Sequence, residues 1–201
     1  MKIYVASTNR HKIAEFEAML KARKLDCRLI GADEVPGFEA PDENGKSFEE
    51  NAFIKARALA GAVPGQYVMA DDSGIEVDAL GGAPGIYSAR YAGGHGDGAD
   101  LRNNEKLLKE LDGVPDDKRG AQFVCCIALI LPDGGEKSFT GIIRGRINHG
   151  AVGSGGFGYD PLFFVPELGK TTAELSPGEK NAVSHRGQAF AKLATFLTNQ
   201  K

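Results

Sequence analysis

Two adjacent aspartates, Asp71 and Asp72, are the residues of this sequence best suited to attract a cation. They follow an apolar segment, residues 67–70, and precede Ser73 and Gly74, a pattern that predicts a strand with both carboxylates at its carboxyl end. Neighbouring carboxylates raise each other's proton affinity and attract divalent ions, so the pair could bind Mg²⁺ or orient a water molecule. From this segment alone, a solvated turn explains the same residues equally well.

Three segments that are rich in basic residues and hydrogen-bond donors could bind an anionic ligand. Residues 7–12 stand at a predicted strand-to-helix turn, where backbone N–H groups and the helix dipole favour an anion. Asn51 and Lys55 lie one turn apart on the polar face of a second predicted helix. A third group of donors stands near the start of the last predicted helix and comprises Lys180, Ser184, His185 and Arg186. Taken singly, the first two groups are more simply a helix cap and a solvated helix face, and a lone histidine is more often structural.

A glycine-rich segment, residues 155–160, could contact a nucleobase. Its small residues allow close backbone approach, and the ring of Phe157 or Tyr159 could stack on a base. A glycine-rich bend with aromatic rings in the core is an equally good interpretation of these residues.

Two other glycine motifs do not fit the chemistry that they suggest. Residues 45–47, Gly-Lys-Ser, resemble the end of a phosphate-binding loop, but acidic residues stand before them and no apolar strand precedes them. The glycines of residues 153–158 have the spacing of a dinucleotide-binding turn, yet an apolar, strand-like run follows where that fold requires a helix. We therefore reject both segments as nucleotide-binding motifs.

The elements that must position these residues are strands and helices of comparable number. Capping-box patterns begin at Ser47 and Ser176, and each predicts the start of a helix. A short turn with glycine, residues 132–135, joins two apolar runs and predicts a long antiparallel hairpin. Predicted strands cover residues 2–6, 27–30, 67–70, 122–131 and 137–147, and further helices follow residue 9 and cover residues 101–111. This mixture predicts an α/β fold with a mixed sheet in one domain, residues 1–201, because no repeat or linker divides the chain.

The composition excludes several classes of protein. The net charge of −3 argues against a nucleic-acid binder, which usually carries a basic surplus. The longest apolar run, residues 123–131, is nine residues, well short of the roughly 20 that a membrane-spanning helix needs. No signal-peptide core stands at the start, so we expect a cytoplasmic protein without a membrane partner. The three cysteines show neither metal-ligand spacing nor a disulfide framework.

Taken together, these segments resemble the inosine triphosphate pyrophosphatase family, the HAM1-like pyrophosphatases that act on non-canonical purine nucleoside triphosphates. The resemblance covers nearly the whole chain. It rests on six segments in the same order, namely residues 7–12, 47–56, 70–74, 80–91, 155–161 and 184–186. Any one of these segments is a weak signal, but six in order are highly specific.

The resemblance implies a fold, a cofactor and a set of site residues. The implied fold is a mixed, elongated central sheet flanked by helices, in two lobes with the active-site cleft between them, and the implied assembly is a homodimer. Implied catalytic residues are Asp72, Asp71 and Lys55, and Asp72 would also hold Mg²⁺ together with Asp42 or Glu43, both of which qualify. Implied substrate-binding residues are Ser7, Thr8, Asn9, Arg10, His11, Lys12, Asn51, Ser73, Phe157, Gly158, Tyr159, Asp160, Lys180, His185 and Arg186.

The implied reaction is attack on a triphosphate by a water that Asp72 orients, giving a nucleoside monophosphate and pyrophosphate. ITP, dITP and XTP are the implied substrates, because donors aimed at a 6-oxo group would reject adenine. Three alternatives remain at this point: a non-catalytic nucleotide sensor, an RNA-binding module, and a related pyrophosphatase for pyrimidine or modified nucleotides.

Overall fold

The structure is a computed structural model and describes residues 1–94 and 96–200. The strands of this part of the chain are β1 (Lys2–Val5), β2 (Arg28–Gly31), β3 (Tyr67–Val77), β4 (Gly120–Ile130), β5 (Glu136–Ile147), β6 (Phe163–Val165) and β7 (Lys170–Thr171). The α-helices are α1 (Arg10–Ala22), α2 (Phe48–Ala62), α3 (Ala99–Glu110), α4 (Pro177–Val183) and α5 (His185–Thr198).

The strands form one mixed sheet in the order β2-β1-β3-β4-β5-β6-β7. Strand β1 pairs in parallel with both β2 and β3, whereas β6 pairs antiparallel with β5 and β7. Parallel neighbours need crossover connections, and the chain makes them through α1 and α2. The predicted α/β fold with a mixed sheet and flanking helices is therefore confirmed.

The described chain divides into two compact units. The first unit comprises Met1–Asp72, Cys125–Gly141 and Arg186–Lys201, and the second comprises Ser73–Val124 and Ile142–His185. The core of the first unit contains a pair of rings, Phe16 and Phe190, with centroids 5.7 Å apart. The core of the second unit contains the rings of Phe123 and Phe163 at 4.5 Å. Each unit thus buries aromatic surface of its own.

The prediction from the sequence that Asp71 and Asp72 lie at the carboxyl end of a strand was wrong. Strand β3 continues past Asp71 and Asp72 to Val77, so both residues lie in its interior. The strand continues because Ile75 and Val77 are buried apolar residues with the period-two spacing of a strand. Charged residues are tolerated in its middle because each meets cationic side chains, as described below.

The single helix predicted after Ser176 is two helices. Ser176 caps α4 as predicted, accepting the N–H of Glu179, and Pro177 occupies the first helical position. Ser184 then adopts an extended backbone and separates α4 from α5, which begins at His185. Serine is a favoured residue immediately before a helix, so this position starts a new helix rather than continuing the first.

None of the helices in the described ranges is long and apolar enough to cross a membrane.

Candidate functional site

The turn between β1 and α1 is fixed by its own side chains. The Asn9 side chain caps α1 by accepting the N–H groups of His11 and Lys12 at 3.0 and 3.2 Å, and Ser7 Oγ accepts the N–H of Asn9 at 3.1 Å. This cap places Lys12 in the first turn of the helix, where its ammonium lies 3.0 Å from Asp71 Oδ2. The turn residues Thr8, Asn9, Arg10 and His11 are exposed.

Asp71 is a fully buried anion held by two cations. Its side chain has no exposed surface. Besides Lys12 of α1, it contacts Arg186 of α5, whose Nη2 lies 3.2 Å from Asp71 Oδ2. The same guanidinium contacts Glu15 of α1 through Nη1 at 2.8 Å. Burial alone would raise the pKa of Asp71, but Lys12 and Arg186 outweigh burial and hold the pKa well below its usual range. Asp71 is therefore the ionised partner of a fixed ion-pair network.

Asp72 faces a different set of side chains, which α2 supplies. Asn51 Nδ2 donates to Asp72 Oδ2 at 3.2 Å, and Lys55 Nζ lies 3.0 Å from Oδ1. Burial raises the pKa of Asp72 above its ordinary value, and the opposing effect of Lys55 is too weak to reverse this. Burial would lower the pKa of Lys55, but the surrounding carboxylates raise it overall, so the lysine stays charged.

The loop before α2 brings a second carboxylate to this lysine. Glu43 Oε1 lies 3.2 Å from Lys55 Nζ. The loop is held in place because Asn51 Oδ1 accepts the N–H of Gly45 at 2.8 Å. A Cβ at Gly45 would lie 2.6 Å from the same oxygen, so the close approach requires glycine. Asp42 is exposed and makes no ion pair or hydrogen bond with the described residues, so Glu43 is the acid that this loop brings to the cluster.

The donor set of this cluster fits a hard divalent cation. No group of three or more His, Cys, Asp or Glu side chains converges for a metal within the described ranges. Asp72 and Glu43 nevertheless share one ammonium, so two carboxylates already converge on one positive charge. Mg²⁺ commonly uses one or two protein carboxylates and takes its remaining ligands from water and substrate phosphates. The two carboxylates are therefore donors of the type that such an ion uses.

In the second unit, the glycine-rich bend is organised by the Asp160 side chain. Its Oδ2 accepts the N–H of Phe157 at 2.8 Å and contacts Lys180 Nζ at 2.6 Å, while Thr172 Oγ1 donates to Oδ1 at 2.8 Å. Gly156 has φ of +73°, and a Cβ there would lie 2.0 Å from Asp160 Oδ2, so the bend requires glycine at this position.

The two aromatic residues of the bend have different surroundings. Tyr159 is buried in the core of the second unit, and its hydroxyl donates to the carbonyl of Ser88 at 2.8 Å. Phe157 is half-buried, and Lys180 Nζ lies 4.7 Å from its ring centroid. Of the two rings that the sequence offered for stacking on a base, Phe157 is the more accessible.

His185 and Ser73 complete the set of predicted positions. The ring of His185 stacks on Phe123 at a centroid distance of 4.8 Å, so this histidine also packs against the core of the second unit. Ser73 is half-buried in β3. The structure thus gathers one group of predicted residues in the first unit and another in the second. The first group has two sets, namely Lys12 and Arg186 around Asp71, and Asn51 and Lys55 around Asp72 with Glu43 on Lys55, and the second group is Phe157, Asp160 and Lys180.

Sequence reasoning missed the residues that hold the predicted ones. Glu15 holds Arg186, which lies 171 positions away in sequence, so its spacing from Lys12 does not reveal this role. Asp100 and Asn104 of α3 hold the Gly158 peptide, the first accepting its N–H at 2.7 Å and the second donating to its carbonyl at 3.0 Å. Thr172 also lies far from the bend in sequence. No local sequence pattern identifies Asp100, Asn104 or Thr172 as a residue that holds the bend.

Comparisons with known proteins agree over nearly the whole chain. The model of the Ham1 family matches residues 3–196. A dITP/XTP pyrophosphatase of Exiguobacterium sibiricum is 48% identical over 199 residues, covering 98% of this chain and 98% of that protein. A Ham1 protein of Staphylococcus aureus superposes with a TM-score of 0.86 at 45% identity, covering 100% of both chains. A HAM1 protein of Coxiella burnetii gives a TM-score of 0.88 at 41% identity, covering 99% of both chains.

Proposed function

The chain belongs to the Ham1 family, and on that premise we propose that it hydrolyses non-canonical purine nucleoside triphosphates. ITP, dITP and XTP are the proposed substrates, and a nucleoside monophosphate and pyrophosphate are the products. The observation that supports this proposal most directly is the contact of Asp72 and Glu43 with the same buried ammonium, Lys55. Carboxylates beside a fixed cation are the groups that metal-assisted hydrolysis of a polyphosphate requires.

Asp72 is the proposed base because its charge is less fully neutralised than that of Asp71. Lys55 and Asn51 hold its two oxygens in one orientation, which would align the carboxylate with an attacking water. Its raised pKa also favours acceptance of a proton. In the proposed reaction the water oxygen bonds to phosphorus, the bond to the pyrophosphate oxygen breaks, and the water proton passes to Asp72.

Asp72 and Glu43 are the residues that would hold Mg²⁺. The bound ion would supply positive charge to the triphosphate and to the departing pyrophosphate. The ammonium groups of Lys12 and Lys55 add fixed positive charge of their own. The turn of residues 7–12 lies at the amino end of α1, where the positive end of the helix dipole favours phosphate binding.

The second unit supplies residues suited to the purine base. Phe157 offers a half-buried ring, and the Lys180 ammonium beside it is a donor suited to a 6-oxo group. Adenine presents an amine at that position, so ATP should be a poor substrate. We further propose a homodimer that acts on free nucleotides in the cytoplasm, and the net charge of −3 disfavours nucleic acid as a partner.

A substrate panel with product analysis tests this function. Pyrophosphate release is measured from dITP, XTP, ITP, GTP and ATP, each with Mg²⁺ and with the metal chelated. We expect release from the first three, dependent on Mg²⁺ and together with the matching monophosphate, and little release from ATP. Release of orthophosphate with a diphosphate product, or an equal rate with ATP, would contradict the proposal.

A further inference from the structure

We propose that Thr172 is a positioning residue for the purine-binding bend, acting through Asp160. This inference rests on the proposed function, because it deepens the assignment of the bend to the base. Thr172 begins a short 3-10 turn after β7 and is 2% exposed. Its hydroxyl oxygen lies 2.8 Å from Asp160 Oδ1, and Asp160 is itself 3% exposed.

The contacts of Asp160 show how the threonine acts on the bend. The carboxylate uses one oxygen for Thr172 and the other for both Phe157 N–H and Lys180 Nζ. Carboxylate groups rotate easily about their last bond, because terminal sp³–sp² torsions are broad. A donor on Oδ1 therefore fixes the direction of Oδ2. Removing that donor would leave a buried anion with an unsatisfied oxygen and favour rotation away from the bend.

The direction of Oδ2 determines the shape of the proposed base site. It holds the backbone N–H of Phe157, and with it the turn that carries the aromatic ring. It also holds the Lys180 ammonium 4.7 Å from the centroid of that ring. The ring and the cation are thus coupled through one carboxylate, and loss of the Thr172 hydroxyl would disorder both together.

The neighbouring residue provides a matched control. Thr171 is fully buried, and its hydroxyl donates to the carbonyl of Val152 at 2.8 Å, with Glu174 Oε2 at 3.1 Å. It makes no hydrogen bond to Asp160. Thr171→Val and Thr172→Val therefore each remove one buried threonine hydroxyl, at adjacent positions. Only Thr172→Val removes a hydrogen-bond donor from Asp160.

The experiment compares Thr172→Val, Thr172→Ser and Thr171→Val with the wild-type protein. Calorimetry measures the affinity for dIMP, which carries the base, and for tripolyphosphate, which has none; steady-state assays give KM and kcat for dITP. For Thr172→Val we expect dIMP affinity to fall and the KM for dITP to rise by about fivefold, the effect of roughly one hydrogen bond. Tripolyphosphate affinity and kcat should stay near the wild-type values. Thr172→Ser, which keeps the hydroxyl, and Thr171→Val should resemble the wild type.

A second measurement does not depend on activity. Amide hydrogen exchange by NMR should be faster at Phe157 in Thr172→Val than in either control variant, because the acceptor of that N–H is no longer fixed. The stoichiometry of tripolyphosphate binding reports the folded fraction, so partial unfolding is corrected for.

Three results are distinguishable. Equal dIMP affinity and equal Phe157 exchange in Thr172→Val and the wild type would overturn the positioning role alone. An equal loss of dIMP affinity in Thr171→Val, or an equal loss of tripolyphosphate affinity in Thr172→Val, would show that the fold has loosened in general. Either result would also overturn the positioning role. A wild-type protein that neither binds dIMP nor hydrolyses dITP would instead reject the proposed function, and this inference with it.

Discussion

Strand β3 carries two adjacent aspartates whose surroundings differ, although the residues are chemically identical. Asp71 points toward α1 and α5 and meets Lys12 and Arg186, and its side chain has no exposed surface. Asp72 points to the opposite face, toward α2, and meets Lys55 and Asn51. Adjacent strand residues point to opposite faces of a sheet, so one step along the chain exchanges one set of partners for the other.

This difference is the basis for proposing a chemical role for Asp72 and a structural role for Asp71. Asp71 contacts two cations, and its pKa is depressed, so its charge is permanent and committed to the fold. Asp72 contacts one lysine that it shares with Glu43, and its pKa is raised. A group whose charge is incompletely compensated retains affinity for a metal or a proton. We therefore expect substitutions at Asp71 to affect mainly stability and substitutions at Asp72 to affect mainly activity.

The largest expected effect is on activity, from Asp72→Asn. The amide keeps the shape of the side chain but cannot accept a proton, so we expect dITP hydrolysis to fall by at least about a hundredfold, the range of a lost general base. The midpoint of urea unfolding should stay close to that of the wild type. Turnover near the wild-type rate in the folded variant would contradict the role of Asp72.

The second effect is on stability, from Asp71→Asn. This variant leaves Lys12 and Arg186 without their shared carboxylate in a buried site, so we expect the free energy of unfolding to fall by about 3 kcal/mol. Urea unfolding of both asparagine variants under the same conditions measures the contrast. If Asp72→Asn loses as much stability as Asp71→Asn, the two faces of β3 do not differ as described.

A smaller effect separates the two acids that precede α2. Glu43 contacts Lys55 at 3.2 Å, whereas Asp42 is exposed. Glu43→Gln should raise the Mg²⁺ concentration for half-maximal activity by about tenfold, corresponding to roughly 1.4 kcal/mol of binding free energy. Asp42→Asn is the matched control and should leave that concentration unchanged. A raised Mg²⁺ requirement in Asp42→Asn but not in Glu43→Gln would instead assign the metal to Asp42.

Much of the fold could be predicted because its signals are local. The helix that follows residue 9, the helix that begins after Ser47 and the hairpin of β4 and β5 follow from spacing within a few residues, and the structure confirms them. The length of β3 could not be predicted, because charged residues normally end a strand. They are tolerated here by cations that come from elements distant in sequence.

The site was predictable to a different extent. The types of the charged residues and their order along the chain predicted a polyphosphate site. The partner of each carboxylate was not predictable, because it depends on which face of the sheet each helix covers. Proposing Glu43 rather than Asp42 as the metal ligand likewise required the loop conformation, which the hydrogen bond from the Gly45 N–H to the Asn51 side chain fixes. Thr172 gave no local signal at all.

The smallest expected effect concerns pH, and it tests the ionised state of Asp71. Its pKa is depressed in the folded state, so its contribution to stability is present above the unfolded pKa of about 4 and is lost as the pH falls below that value. Between pH 6 and pH 3 the stability gap between the wild type and Asp71→Asn should therefore narrow by about 1 kcal/mol. Urea unfolding at several pH values measures this difference in unfolding free energy. The titration of the other carboxylates cancels in the difference, because both proteins contain them. A gap that stays constant with pH would mean that Asp71 binds a proton equally in both states, and that Lys12 and Arg186 do not neutralise it.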